Sequence, residues 1–221
     1  MRRSVLIVGS SGHGRAVLDV VRCHYALGEI ALLDDFIRGI SQVHGVEYVG
    51  GTDDIGKVYE SLRYSGVIVA IGDNWNRRVV VEKLKMLCPD IKFLTMIHSS
   101  AYVSRDAVIG EGSVVMPGAV VGPGTRIGPH CVINSRASVD HDCSLADFAS
   151  VAPGVTLGGN VSLGEGCFVG LGANIIQRVC VGRHTVIGAG STVLSNIGDN
   201  VVAYGTPAKE MKSREPEESC L

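Results

Sequence analysis

Three stretches of the chain carry residue types at spacings that suit chemistry. The first is Gly9-Ser-Ser-Gly-His-Gly14, which directly follows the apolar run Val5-Leu-Ile-Val8. Glycines at a strand-to-helix junction leave backbone N–H groups free at a helix N-terminus, which is where a phosphate binds. The second is the acid pair Asp34-Asp35, close to the distance from Gly14 at which dinucleotide folds hold a ribose hydroxyl. The glycine spacing, G-x-x-G-x-G, departs from the dinucleotide fingerprint, and taken alone it describes an ordinary tight turn. The third is His141, set between Asp140 and Asp142. Flanking carboxylates orient an imidazole and raise its basicity, as a general base requires. The rival reading is a solvated surface histidine. A zinc site would need three converging histidines, and His130, His141 and His184 lack the spacing, so no metal is expected. The seven cysteines offer neither a CxxC pair nor ligand-like spacing.

The first two stretches sit on an alternation of strand and helix. After the glycine loop, residues 15–25 have helical spacing with Ala16, Val17, Val20 and Val21 on one face. A strand at Ile30–Leu33 ends in the acid pair. Asp53 can cap a helix over 53–64, a strand over 67–71 ends in Gly72, and a helix over Asn74–Leu87 and a strand over 92–97 follow. This pattern predicts a small parallel α/β sheet of about half the length of a full dinucleotide fold, a half-Rossmann-like domain over 1–96. Ligands of open α/β sheets lie outside the carboxyl ends of the strands, and the loop, the acid pair and Gly72 fall at three such ends.

His141 sits in a different kind of sequence. From Ile97 to Val193 every sixth residue is a branched aliphatic, seventeen hexads with no insertion. Four residues after each aliphatic comes a small side chain in most hexads, among them Cys131, Cys143 and Cys167, and glycine often follows the aliphatic directly. A period of six would scatter aliphatics around a helix, so the unit is a short strand and a turn. One hexad cannot bury its apolar face alone, so the hexads must stack into a β-solenoid, with glycine expected at the tight corners. The repeat domain spans 97–212. Residues 213–221 are charged and aperiodic and predict a structureless tail.

A formal charge of -2 excludes the basic field that nucleic acid requires. No segment is long enough to span a bilayer, and Gly9 interrupts the run after Met1-Arg2-Arg3 that would begin a signal peptide. Unpaired inward thiols suit a reducing compartment, so the expected location is cytoplasmic.

The hexads resemble those of hexapeptide-repeat acyltransferases. Together with Gly9-Ser-Ser-Gly-His-Gly14, Asp34-Asp35-Phe36, Ala70-Ile-Gly-Asp-Asn74, Ile97-His98 and the closing Gly205-Thr-Pro-Ala-Lys209, they resemble the bacterial nucleotide-sugar N-acetyltransferases of the bacillosamine and perosamine type and their sialic acid O-acetyltransferase relatives. The resemblance implies a left-handed parallel β-helix with three hexads per coil, a homotrimer, and acetyl-CoA bound along the β-helix between neighbouring subunits. It implies that His141, followed by Asp142, takes the proton from a sugar amine as that amine attacks the thioester, with a backbone N–H holding the oxyanion. Gly9, Ser11, Gly12, His13, Asp34, Asp35 and Gly72 then contact a nucleotide-linked 4-amino-4,6-dideoxyhexose, and Leu171 and Ala189 contact acetyl-CoA. Ser150 stands where many relatives carry a cofactor-contacting histidine. Sugar O-acetylation, and a non-catalytic nucleotide-sugar-binding scaffold, are the alternatives. With three hexads per coil, the column Val114, Val132, Ser150, Phe168 and Val186 is apolar but for Ser150, and is expected to form a ridge that packs against a neighbouring subunit.

Overall fold

The computed structural model describes residues 4–37, 39–62 and 64–219. Its first half is a five-stranded sheet in the order β3-β4-β2-β1-β5, built from β1 (Ser4–Val8), β2 (Ile30–Leu33), β3 (Gln42–Val43), β4 (Val46–Gly50) and β5 (Tyr64–Val69). All pairings are parallel except β3 with β4. β1 and β2 are continuous apolar runs because helices cover the sheet: α1 (Gly12–Val21), α2 (Ile55–Leu62) and α3 (Asn74–Leu87).

Expected and observed boundaries differ in instructive ways. α1 begins inside the glycine loop rather than at Arg15, with Ser11 in extended conformation at its N-cap and its carbonyl accepting from Arg15 N at 2.9 Å. It stops at Val21, where the N–H groups of Cys23 and His24 switch to carbonyls three residues back. The segment over 92–97 divides. Phe93 bridges to Val67 at the sheet edge, whereas Met96 and Ile97 already belong to the solenoid. β3 and β4 form a hairpin absent from the sequence reading; His44 and Gly45, with φ of 54° and 77°, make its two-residue turn.

From β6 (Met96–Ile97) to β22 (Thr192–Val193), two-residue strands recur every six residues and pair in parallel with those eighteen away, as Val121 with Val139 and Val139 with Leu157. Three hexads therefore complete one coil of a left-handed parallel β-helix, a triangular prism with three sheet faces. The aliphatic and the small residue of each hexad fill its interior, including Cys131, Cys143 and Cys167. The glycine expectation needs revision. Left-handed backbone falls three residues after the aliphatic, where Asp142, Phe148, Asn160 and His184 serve as well as glycine. Glycine right after the aliphatic answers crowding instead: a Cβ on Gly122 would lie 2.8 Å from the Asp140 carbonyl carbon of the next coil.

The prism ends in the hairpin of β23 (Val201–Gly205) and β24 (Ala208–Ser213). Where sequence expects no structure beyond Lys212, the strand runs on through Ser213 and Arg214 is buried, donating to the carbonyls of His184 and Glu218. Cys220 and Leu221 lie outside the described residues, as do Met1, Arg2 and Arg3. The expected ridge is corrected as well. Val114, Val132 and Ser150 are buried within the single chain, and Val114 shares an apolar cluster with Met96, Val17 and Val21. The chain's own N-terminal domain covers that face, so only Phe168 and Val186 are left half-exposed.

Candidate functional site

His141 lies at the prism corner between the faces of Ser138–Val139 and Ser144–Leu145. Asp142 follows it in left-handed conformation with φ of 55°, which turns the carboxylate back along the corner. Its Oδ2 stands 2.8 Å from His141 Nδ1, and Asp140 Oδ1 accepts from His141 N at 2.8 Å. A carboxylate can only accept, so Nδ1 carries the proton and Nε2 of the neutral ring offers its lone pair. The hydrogen bond to Asp142, then the negative charges of Asp140 and Asp142, raise the imidazole pKa above its ordinary value. Two glycines on adjacent coils clear the space. A Cβ on Gly159 would lie 2.4 Å from His141 Nε2, and one on Gly124 would lie 2.4 Å from Asp142 Oδ1.

The other two histidines of the zinc test are elsewhere. His130 and His184 lie on a second corner, and among the described residues no three His, Cys, Asp or Glu side chains come together as a metal would require. His130 is buried, stacked on Phe148 with ring centroids 5.1 Å apart and edge-on to Phe93 at 4.7 Å. Burial pushes its pKa down to about 4, so it is a neutral filler between the domains.

At the carboxyl ends of the N-terminal sheet the residues expected to hold substrate divide by role. Gly9 takes a left-handed φ of 102° beneath the loop. Gly14 is a packing glycine: a Cβ there would sit 2.3 Å from the Gly9 oxygen. Gly12 is exposed, and a Cβ there would meet nothing within 4 Å. Ser11 is exposed beside it, while His13 is largely buried with Nε2 unpaired, its pKa lowered to about 4 by burial and then by Arg77. Asp34 is engaged by its own loop: Oδ2 accepts from Ser10 N at 2.8 Å and Ser10 Oγ at 2.6 Å, and Oδ1 from Phe36 N at 2.9 Å. Asp35 borders an open cleft of about 460 Å³ with Tyr48, Gly50, Gly51, Asp53 and Asp54.

Gly72 leads to Arg77, a residue that no sequence motif marks. Arg77 is 1 % exposed, and its guanidinium donates to the carbonyls of Ile71, Gly72, His130 and Phe148, to Asn74 Oδ1 and to Ser150 Oγ. The available signal was its place on the buried stripe Asn74, Arg77, Val81, Leu84 of α3, where a charge needs partners. Ser150, expected at the cofactor, is 3 % exposed and its hydroxyl is taken up by Asn74 and Arg77. Leu171, 61 % exposed, and Ala189 stack on the third corner, with Gly190 N donating to Leu171 O at 2.7 Å.

Within one chain these groups do not converge. The N-terminal domain covers the face that contains Ser150, and His141 projects from the corner opposite that face.

The comparisons agree with this two-part architecture. Residues 4–84 match the PglD N-terminal domain family, and residues 100–141 match the bacterial transferase hexapeptide family of six repeats. The chain is 36% identical to the acetyltransferase domain of PglB from Neisseria gonorrhoeae FA1090 in complex with acetyl coenzyme A, covering 96% of this chain and 100% of that one at a TM-score of 0.86. PerB from Caulobacter crescentus, in complex with CoA and GDP-perosamine, is 35% identical over 95% of this chain and 97% of that one, with a TM-score of 0.86. UDP-N-acetylbacillosamine N-acetyltransferase of Bacillus subtilis (strain 168) is 37% identical over 110 residues. That match spans 49% of this chain and 49% of the curated relative, about half the length of each.

Proposed function

The chain belongs to the family of hexapeptide-repeat nucleotide-sugar N-acetyltransferases, and on that premise we propose that it moves the acetyl group of acetyl-CoA to the amine of a nucleotide-linked amino sugar. The observation that carries the reading is the His141–Asp142 pair, a 2.8 Å hydrogen bond that puts the proton of the neutral ring on Nδ1 and turns Nε2 to an open corner. In this reading the sugar amine attacks the thioester carbon while Nε2 takes the amine proton. The C–S bond then breaks, Asp142 stabilises the imidazolium, and the leaving thiolate takes the proton back from Nε2 to depart as CoA. No covalent acyl-enzyme is required.

The division of labour follows the two domains, 1–96 for the nucleotide sugar and 97–212 for acetyl transfer. Gly9, Ser11, Gly12 and His13 would receive the phosphates at the start of α1. Asp35, whose carboxylate accepts from Thr52 N and Oγ1 and lies 4.0 Å from Lys83 Nζ, would meet hydroxyl or amino groups of the ligand in the cleft it borders. Asp34 would act indirectly by shaping the loop at Ser10, and Gly72 would line the same strand-end crevice. Leu171 and Ala189 would line the acetyl-CoA cleft. Because they occupy a corner different from that of His141, a complete site needs a second copy, which supports the homotrimer as the working assembly. That the described cysteines form no disulfide supports a reducing location, the cytoplasm. No helix among the described residues is long and apolar enough to cross a membrane.

The test is acetyl-CoA consumption with a panel of UDP-, GDP- and dTDP-linked 4-amino sugars, preceded by a thermal-shift screen of the three nucleotides. Acetylated product with at least one amino sugar is expected. No transfer above thioester hydrolysis with any of them would reject the reading.

A further inference from the structure

We propose that Ser150, Asn74 and Arg77 form a positioning device through which the β-helix sets the substrate loop at Ile71 and Gly72, with Ser150 acting there and not as a contact for acetyl-CoA. The proposal rests on the function proposed above and deepens it. A guanidinium has five N–H donors in a fixed fork, and here all five find oxygen partners. Nε donates to His130 O at 2.9 Å. Nη1 donates to Ile71 O at 2.9 Å and Gly72 O at 3.0 Å. Nη2 faces Asn74 Oδ1 at 2.9 Å, Phe148 O at 3.0 Å and Ser150 Oγ at 3.0 Å. Ser150 Oγ in turn donates to Asn74 Oδ1 at 2.6 Å, and Asn74 Nδ2 donates to the carbonyls of Gly166 and Cys167, both at 3.1 Å. Arg77 thus holds consecutive carbonyls of the strand-end loop against two coils of the prism, and Asn74 extends the hold to a third.

Adhesion between the domains does not explain this arrangement. Apolar residues of similar volume hold two surfaces together as well as a buried charge does, and often better, whereas a saturated polar network fixes a single geometry. The geometry fixed is that of the crevice. A trans peptide points its N–H opposite to its C=O, so gripping the carbonyls of Ile71 and Gly72 also sets the direction of the Gly72 and Asp73 N–H groups. Ser150 cannot serve a ligand outside the prism while its hydroxyl is buried and occupied on both its donor and its acceptor side.

The experiment is Ser150→Ala beside Arg77→Lys in the full-length protein, with separate Michaelis constants for the two substrates and calorimetry of nucleotide binding. Ser150→Ala deletes one hydroxyl and is expected to fold. Its KM for the nucleotide sugar should rise about tenfold, the usual effect of losing a hydrogen bond to a charged group, with the KM for acetyl-CoA unchanged. Arg77→Lys, with three donors for six acceptors, should raise the same constant further. A rise in the acetyl-CoA constant in Ser150→Ala would overturn the proposal and return Ser150 to the cofactor. A lowered melting temperature with both constants intact would overturn it too, because the network would then be structural alone. Wild-type protein that binds nucleotide without acetylating any sugar would reject the function, while the nucleotide affinities of the two variants would still decide the proposal.

Discussion

His141 owes its candidacy to two neighbours in sequence and one in space, and each makes a separate demand. His141→Asn keeps size and polarity but removes the proton acceptor, so kcat should fall on the order of 10² to 10⁴-fold while both Michaelis constants change little. Turnover near that of the wild type at neutral pH would remove His141 from the mechanism. The pH profile carries a signature of its own. A base works deprotonated, so kcat should rise with pH through a pKa above the ordinary histidine value, because the Asp142 hydrogen bond favours the charged ring. Asp142→Asn removes the largest cause of that rise. Its acidic limb should move to lower pH as the maximum rate drops, and an unmoved limb would show that another group titrates. Gly159 is the neighbour in space: Gly159→Ala should displace the imidazole and lower kcat without touching a chemical group.

Among the elements, α1 shows why glycines of one motif have different duties. Gly12→Val should fold normally, since its Cβ enters open space, but weaken nucleotide-sugar binding by blocking close approach of the phosphates. Gly14→Ala should cost stability, about 1–3 kcal/mol, because its Cβ would collide with the Gly9 carbonyl. Calorimetry and thermal melts separate the two, and equal effects from both variants would reduce the loop to a plain turn. The elements were legible to different depths for physical reasons. α3 is found residue for residue because Asp73 caps it, accepting from Asn76 N at 2.9 Å, and its buried stripe is regular. The prism is legible because a six-residue period admits few folds. The β3–β4 hairpin escaped because β3 is only Gln42 and Val43 long, and because His44-Gly45 is not among the Asn-Gly and Asp-Gly pairs that mark a two-residue turn. The burial of Ser150 is not legible in the sequence, because spacing shows which face a residue occupies and not what covers that face.

For the whole molecule, the covered face moves the expected contact between chains to another place. Val132→Asp would bury a carboxylate under the chain's own N-terminal domain and should unfold the protein, so it reports nothing about assembly. The exposed apolar residues Tyr102, 63 % exposed, and Val108, 50 % exposed, flank the corner that carries His141 two coils further on. Tyr102→Asp with Val108→Asp should give folded monomers by light scattering that bind nucleotide but transfer no acetyl group. A variant that kept the wild-type mass in solution and its activity would place the contact elsewhere. The position of His141, opposite the face bearing the N-terminal domain, also makes heredity visible at the bench. Two impaired proteins, His141→Asn and Gly12→Val, should complement when unfolded and refolded together, assayed at a nucleotide-sugar concentration too low to fill the Gly12→Val loop. One lends an intact loop and the other an intact histidine, so random equal mixing restores about a quarter of the sites, whereas a site contained in one chain would restore none.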